Sequence, residues 1–209
     1  MKLNSVILAD DTDYELFVLL KDATSHSLDN FANSCGDVEL LSSIYMSDTI
    51  TKHNLSEKMA VVNNNVFLCF WYGHGEEDSF KIGDEKIVTN TDNHYVFSNA
   101  MIYTFSCLNG GKLADTLIAN GVRSFVGYAD NASFPCGKDD LTCKTAMTFV
   151  SSLLGGKSIN DAVEDLKTAY EDTMYNPDLE PFQAEIFQHD RDNLVLKGDG
   201  TLTIKDFLI

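Results

Sequence analysis

The sequence is short of positive charge. Only 15 Lys and Arg stand against 32 Asp and Glu, a formal net charge of −17. Proteins that hold nucleic acid or lie on an anionic membrane present a basic face to phosphate groups, so neither nucleic acid nor membrane is expected as a partner. Long apolar runs are also missing: the longest, Val66–Tyr72, has seven residues, where a bilayer span needs about 20. The first ten residues hold one Lys and an apolar stretch that runs into Asp10-Asp11, without the pattern of a secretion signal, so a cytoplasmic protein is expected. There are three prolines and no Pro- or Ser-rich linker, no internal repeat and no low-complexity tract, which favours one domain over residues 1–209. The five cysteines, at positions 35, 69, 107, 136 and 143, are odd in number and include no CxxC spacing. That argues against a disulfide framework and a zinc ribbon, and no metal or cofactor is expected.

What is present suits a packed α/β domain. Hydrophobic residues make up 44% of the chain and aromatics 11%, enough for a sizeable core. Short β-branched and aromatic runs recur at Ser5–Ala9, Val66–Tyr72, Met101–Phe105 and Arg123–Gly127. Continuous apolar runs of this kind mark strands buried on both faces, as in a parallel sheet covered by helices. The segments between them predict helices over Asp13–Lys21, Gly111–Asn120 and Thr142–Leu154, and a fourth opened by Ser158 with Asp161 at capping-box distance. Phe80–Val88, around Gly83-Asp84, predicts a small hairpin, and Asn193–Ile204, around Gly198-Asp199-Gly200, a last pair of short strands. The expected architecture is a three-layer α/β/α sandwich with a mostly parallel, doubly wound sheet, whose function lies beyond the carboxyl ends of the strands.

Reactive side chains stand at three of those ends. The first strand runs into Asp10-Asp11, the second strong one into Gly73-His74-Gly75, and the third into Ser106-Cys107-Leu108-Asn109-Gly110. On neighbouring parallel strands, about 4.8 Å apart, His74 and Cys107 come within reach of each other although 33 positions separate them. A thiol is only a few per cent ionised at neutral pH, so an adjacent imidazole serves it as proton acceptor and then as donor to a leaving amine. The amides of Gly75 and Cys107 are candidates for an oxyanion hole.

These same stretches carry a resemblance. VFLCFWYGHG (66–75), YTFSCLNGGKLADTLIANGVRSFVGYAD (103–130), FVSSLLGGKSINDAVEDLK (149–167) and LVLKGDGTLTI (194–204) resemble the caspase-like (clan CD) cysteine peptidases, in particular bacterial branches related to CHAT and gingipain domains. The resemblance covers about two thirds of the chain, in the right order. It implies a caspase-like fold, thiol-protease activity with His74 and Cys107 as catalytic dyad, and Gly75 and Cys107 as oxyanion donors. It also makes an effector or activator role in bacterial defence an expectation, with a protein or peptide substrate and a separate sensor or regulatory protein as partners. The chain departs from the eukaryotic caspase pattern Gln-Ala-Cys-x-Gly, since Phe105-Ser106 precede the cysteine and Leu108-Asn109 follow it, and from those metacaspases that carry Asp two residues before it. Neither specificity transfers.

Specificity is read instead from charge. Asp10, Asp11 and Asp13 after the first strand, and Tyr128 and Asp130 after the fourth, are the candidate substrate-binding residues. Asp11 or Asp130 would form the floor of an acidic pocket for Lys or Arg, with the substrate extended beside the segment that follows the fourth strand. A catalytically silent caspase-like module that binds a protein partner is the alternative. A receiver domain needs a phosphoacceptor Asp where His74 stands, a Cys phosphatase an Arg where Leu113 stands, and a P-loop a Ser or Thr after Gly111-Lys112. A class I amidotransferase needs its His after its Cys. Cys136 and Cys143, and the pair Asp139-Asp140, are weak candidates for redox or cation chemistry.

Overall fold

A computed structural model describes residues 1–12, 14–62 and 65–209. Strand β1 (Lys2–Ala9) is the second strand of a six-stranded sheet, with β2 (Glu39–Met46) at the edge on one side and β3 (Phe67–Tyr72), β7 (Ala100–Phe105), β8 (Ser124–Tyr128) and β9 (Leu194–Gly198) on the other. The first five of these in sheet order are parallel; β9 runs antiparallel to β8. The chain therefore winds outward from β1 in both directions, as expected of a doubly wound sheet.

Period-two alternation along the central strands divides their side chains between two cores. Leu68, Phe70 and Tyr72 of β3 and Met101, Tyr103 and Phe105 of β7 face helices α1 (Glu15–Cys35), α4 (Asp139–Leu154) and α5 (Ile159–Met174). Phe67, Cys69 and Trp71 of β3 and Ala100 and Ile102 of β7 face α2 (Leu55–Met59), α3 (Lys112–Ala119) and a separate small sheet. This is the three-layer α/β/α arrangement. No helix among the described residues is long and apolar enough to cross a membrane.

The hairpin expected over Phe80–Val88 forms as β5 (Ser79–Ile82) and β6 (Glu85–Thr89), and a third strand, β4 (His74–Glu76), joins it antiparallel to β5. Ser158 caps α5, its side-chain oxygen accepting from the Asp161 N–H at 3.2 Å. Helix α1 runs on to Cys35, well past the Lys21 expected as its end, and three further elements differ from expectation. The edge strand β2 escapes periodicity because it buries almost nothing, leaving Leu41 and Ile44 more than 40% exposed. Helix α6 (Pro181–Asn193) carries its apolar residues too sparsely to stand out, although Pro181 at its start and the Glu180 and Gln183 capping box are ordinary start signals. The last pair of strands is a single strand, β9. Beyond it Gly198 takes φ +86°, the Asp199 carboxylate holds Thr201, and the backbone turns to meet the start of α5, where Ile159 N–H donates to Leu202 O at 2.9 Å. A 3-10 turn at Ile204–Phe207 follows in place of a strand.

Candidate active site

The β3/β7 pairing sets the site. Its register ends at Tyr72 opposite Phe105, and Gly73 N–H still reaches Phe105 O at 3.4 Å. His74 and Cys107 stand two residues beyond that last pair, His74 opening β4 and Cys107 in the turn after β7. Both residues line one cavity of about 510 Å³ at the carboxyl edge of the sheet. The two strands that lead into these residues are parallel neighbours, as expected.

Each side chain is held from several directions. The His74 ring meets the edge of Phe17 at 5.8 Å between centroids and a tilted Tyr14 at 5.7 Å, and Phe134 in turn packs edge-on against Tyr14 at 5.2 Å. The Cys107 turn is bound to the end of β8: Leu108 N–H donates to Asp130 O at 2.9 Å and Gly110 N–H to Tyr128 O at 2.8 Å. Leu108, at φ +61°, takes the left-handed conformation that sharpens this turn. The Cys107 thiol donates to Ala132 O at 3.5 Å. Burial pushes its pKa up from the ordinary thiol value, and the charges of Asp190 and Asp130 add to the shift while the Ala132 carbonyl contact opposes them. At rest the sulfur keeps its proton, so reaction requires a base.

Two backbone donors are well disposed. Glu76 pairs with Ser79 across a two-residue turn, which makes them a hydrogen-bonded pair; Gly75 opposite Phe80 is then the next, non-hydrogen-bonded pair. The Gly75 N–H consequently points away from β5. The Cys107 N–H makes no hydrogen bond among the described residues. Gly75 also touches the Cys107 turn: a β-carbon at 75 would overlap Cys107 O and Ser106 Oγ and stand 2.7 Å from Asn109 Nδ2. The arrangement offers a thiol, an imidazole and two N–H groups along one edge, the parts needed for acyl transfer.

The expected substrate-binding residues lie elsewhere. Asp10 is fully buried, and its carboxylate accepts from Thr12 N–H at 3.0 Å, Thr12 Oγ1 at 2.6 Å and Gly83 N–H at 2.6 Å, tying β1 to the hairpin. Asp11 is exposed and accepts from the Ser47 hydroxyl and N–H, which hold its carboxyl below the usual range. Tyr128 is core, its hydroxyl 2.7 Å from that of Tyr170. Asp130 is exposed and bonds locally to Asn131 N–H at 2.8 Å. None of the four lines the cavity. Asp13 lies outside the described residues.

Among the described residues the acidic lining comes instead from Glu15 and Asp139, in the first turns of α1 and α4, with no Lys or Arg on the wall. Both also line an adjoining hollow of about 290 Å³. Lys138 reaches that hollow, but its ammonium donates to Asp178 O at 2.9 Å. The sequence shows Glu15 inside an expected helix and Asp139 beside a weak cation candidate; their meeting depends on the packing of α1 against α4, which no local pattern encodes. Among the described residues no cluster of His, Cys, Asp and Glu could hold a metal ion, and all five cysteines are unpaired.

The architecture defines a class: an α/β fold of the caspase-like, gingipain type. Particular structures with that fold are the Arg-specific cysteine proteinase gingipain R, at TM-score 0.66 and 12% identity over 96% of this chain and 47% of that one, and the complex of Porphyromonas gingivalis RgpB pro- and mature domains, at 0.65 and 12% over 96% and 48%. This chain thus spans about half the length of the gingipain chains it matches. No protein-family model and no curated protein sequence matches it.

Proposed function

We propose that this chain is a cysteine endopeptidase, with Cys107 as nucleophile and His74 as general base and acid. The observations that support the reading are that β3 and β7 are parallel neighbours and that His74 and Cys107, two residues beyond their last registered pair, line one cavity. In this reading the thiol proton passes to His74 as Sγ attacks the carbonyl carbon of the scissile bond. The carbonyl oxygen becomes an oxyanion held by the N–H groups of Gly75 and Cys107. Collapse of this intermediate breaks the C–N bond, and His74 returns the proton to the leaving amine. Water, deprotonated by the same imidazole, then hydrolyses the thioester and restores the thiol.

The substrate lies extended along Ala132–Phe134, which forms one wall of the cavity. A preference for Lys or Arg before the cut is kept from the sequence reading, but its carboxylates become Glu15 and Asp139 in place of Asp11 and Asp130. The support is their position on a wall to which the described residues contribute no Lys or Arg. Membership of a CHAT-related branch, and a role as effector or activator in bacterial defence, belong to the same proposal and are supported by motif resemblance.

A fluorogenic peptide panel that varies the residue before the scissile bond, run on the wild type and on Cys107→Ala, tests the reading. Cleavage after Arg or Lys that vanishes in the variant is expected. Cleavage only after Asp or large apolar residues overturns the specificity, and equal signals from the two proteins overturn the enzyme in favour of a silent binding module.

A further inference from the structure

Beneath the contact between Gly75 and the Cys107 turn lie polar groups that no hydrogen bond among the described residues uses. Ser106 is 2% exposed and Asn109 0%, yet Ser106 Oγ and both polar atoms of the Asn109 amide have no partner among the described residues. They are aimed at one place: the side of Gly75 that a β-carbon would occupy is filled by Cys107 O, Ser106 Oγ and Asn109 Nδ2. Apolar residues of similar size would fill this space without stranding polar atoms, so packing alone does not call for Ser and Asn here. Nor does the turn need these side chains for its shape. Its backbone is already committed, through Leu108 N–H to Asp130 O, Gly110 N–H to Tyr128 O and Ala114 N–H to Asn109 O.

We propose that Ser106 and Asn109 are positioning residues that seat the Gly75 peptide against Cys107, so that the N–H groups of Gly75 and Cys107 converge on the oxyanion as it forms. The inference rests on the cysteine-peptidase reading. Neither side chain touches substrate. Their dipoles lie in a buried, weakly screened layer directly behind both donor peptides, where orientation has its largest electrostatic effect. Their hydrogen-bonding capacity is unspent among the described residues and available as the two peptides adjust to the developing charge. The consequence is an effect on the transition state with little on ground-state binding.

The test compares Ser106→Ala, Asn109→Ala and the wild type in three assays. The first is turnover of a fluorogenic peptide ending in arginine, with a leucine-ending peptide as second probe. The second is inhibition by the matching peptide aldehydes, in which Cys107 Sγ bonds to the aldehyde carbon and the thiol proton ends on the new hydroxyl at the oxyanion position. The third is alkylation of Cys107 by iodoacetamide, which displaces iodide and develops no oxyanion. Each substitution is expected to lower kcat about tenfold with KM unchanged. Aldehyde affinity should fall by a similar factor, while the alkylation rate and melting temperature match or exceed the wild type. Unchanged kcat overturns the proposal. So does a parallel fall of alkylation, aldehyde affinity and melting temperature, which is the signature of a packing role. If wild type and Cys107→Ala are alike toward all peptides and aldehydes, the peptidase reading itself has failed, and that control is read before any variant.

Discussion

Gly75 and Cys107 are in backbone contact, close enough that a β-carbon on the glycine would overlap the cysteine's carbonyl oxygen. Strand β4 and the Cys107 turn, far apart in sequence, are thus locked at the point where the proposed chemistry occurs, and only glycine permits the approach. Gly75→Ala forces the Cys107 turn outward and separates the two proposed oxyanion donors. Peptide turnover should fall about a hundredfold, with a lowered melting temperature. A Gly75→Ala protein with wild-type kcat would show that the contact has no part in catalysis.

Glu15→Gln and Asp139→Asn should each weaken cleavage after Lys and Arg relative to cleavage after apolar residues, by about tenfold in kcat/KM, through loss of one facing charge. Asp11→Asn and Asp130→Asn should leave that ratio unchanged, since neither carboxylate lines the cavity. The reverse ranking in the fluorogenic panel would return specificity to the strand-end aspartates.

Asp190 is fully buried behind the cleft wall, where its Oδ1 accepts from Ser133 N–H at 3.0 Å. Burial raises its pKa to about 8, from an ordinary value of 3.8. Because the folded form holds the proton more tightly, the stability tied to this group is fully present below about pH 4 and is lost as pH rises through about 8. Asp190→Asn keeps the acceptor and cannot ionise. It should exceed the wild type by about 1–3 kcal/mol at pH 9, a difference that vanishes near pH 4. Urea unfolding across this range decides it: parallel pH dependence in the two proteins would contradict the assignment.

Tyr128→Phe removes one hydroxyl of the buried Tyr128–Tyr170 pair and leaves the other without a partner. A destabilisation of about 1–2 kcal/mol is expected, visible as a lower thermal midpoint. Cleavage preference should not move; a changed preference would bring Tyr128 back as a substrate-binding residue.

The parts legible in the sequence were those encoded locally. The four central strands are buried on both faces and so read as apolar runs, and His74 and Cys107 are legible because each follows such a run, His74 between Gly73 and Gly75 and Cys107 shortly before Gly110-Gly111. The edge strand β2 was not legible, because a strand that buries little leaves no pattern. The charged side of the cleft was hidden for a different reason. Asp10 and Asp11 follow the first strand, but their carboxylates turn to Thr12, Gly83 and Ser47. Glu15 and Asp139 reach the cavity only because α1 and α4 pack side by side, 124 positions apart in the chain. Charge counted along the chain foretold an acidic protein; which acids face the cleft is a property of helix packing.

The most direct test of the central claim is to trap the nucleophile. Wild type, His74→Ala and Cys107→Ala are incubated with an arginine-ending peptide acyloxymethyl ketone, whose carboxylate leaves as the cysteine sulfur bonds to carbon, and the adduct is located by mass spectrometry of the digested protein. The account predicts one adduct, on Cys107, at least about a hundredfold slower in His74→Ala and absent from Cys107→Ala. Labelling spread over Cys35, Cys136 and Cys143, or unaffected by loss of His74, would contradict it.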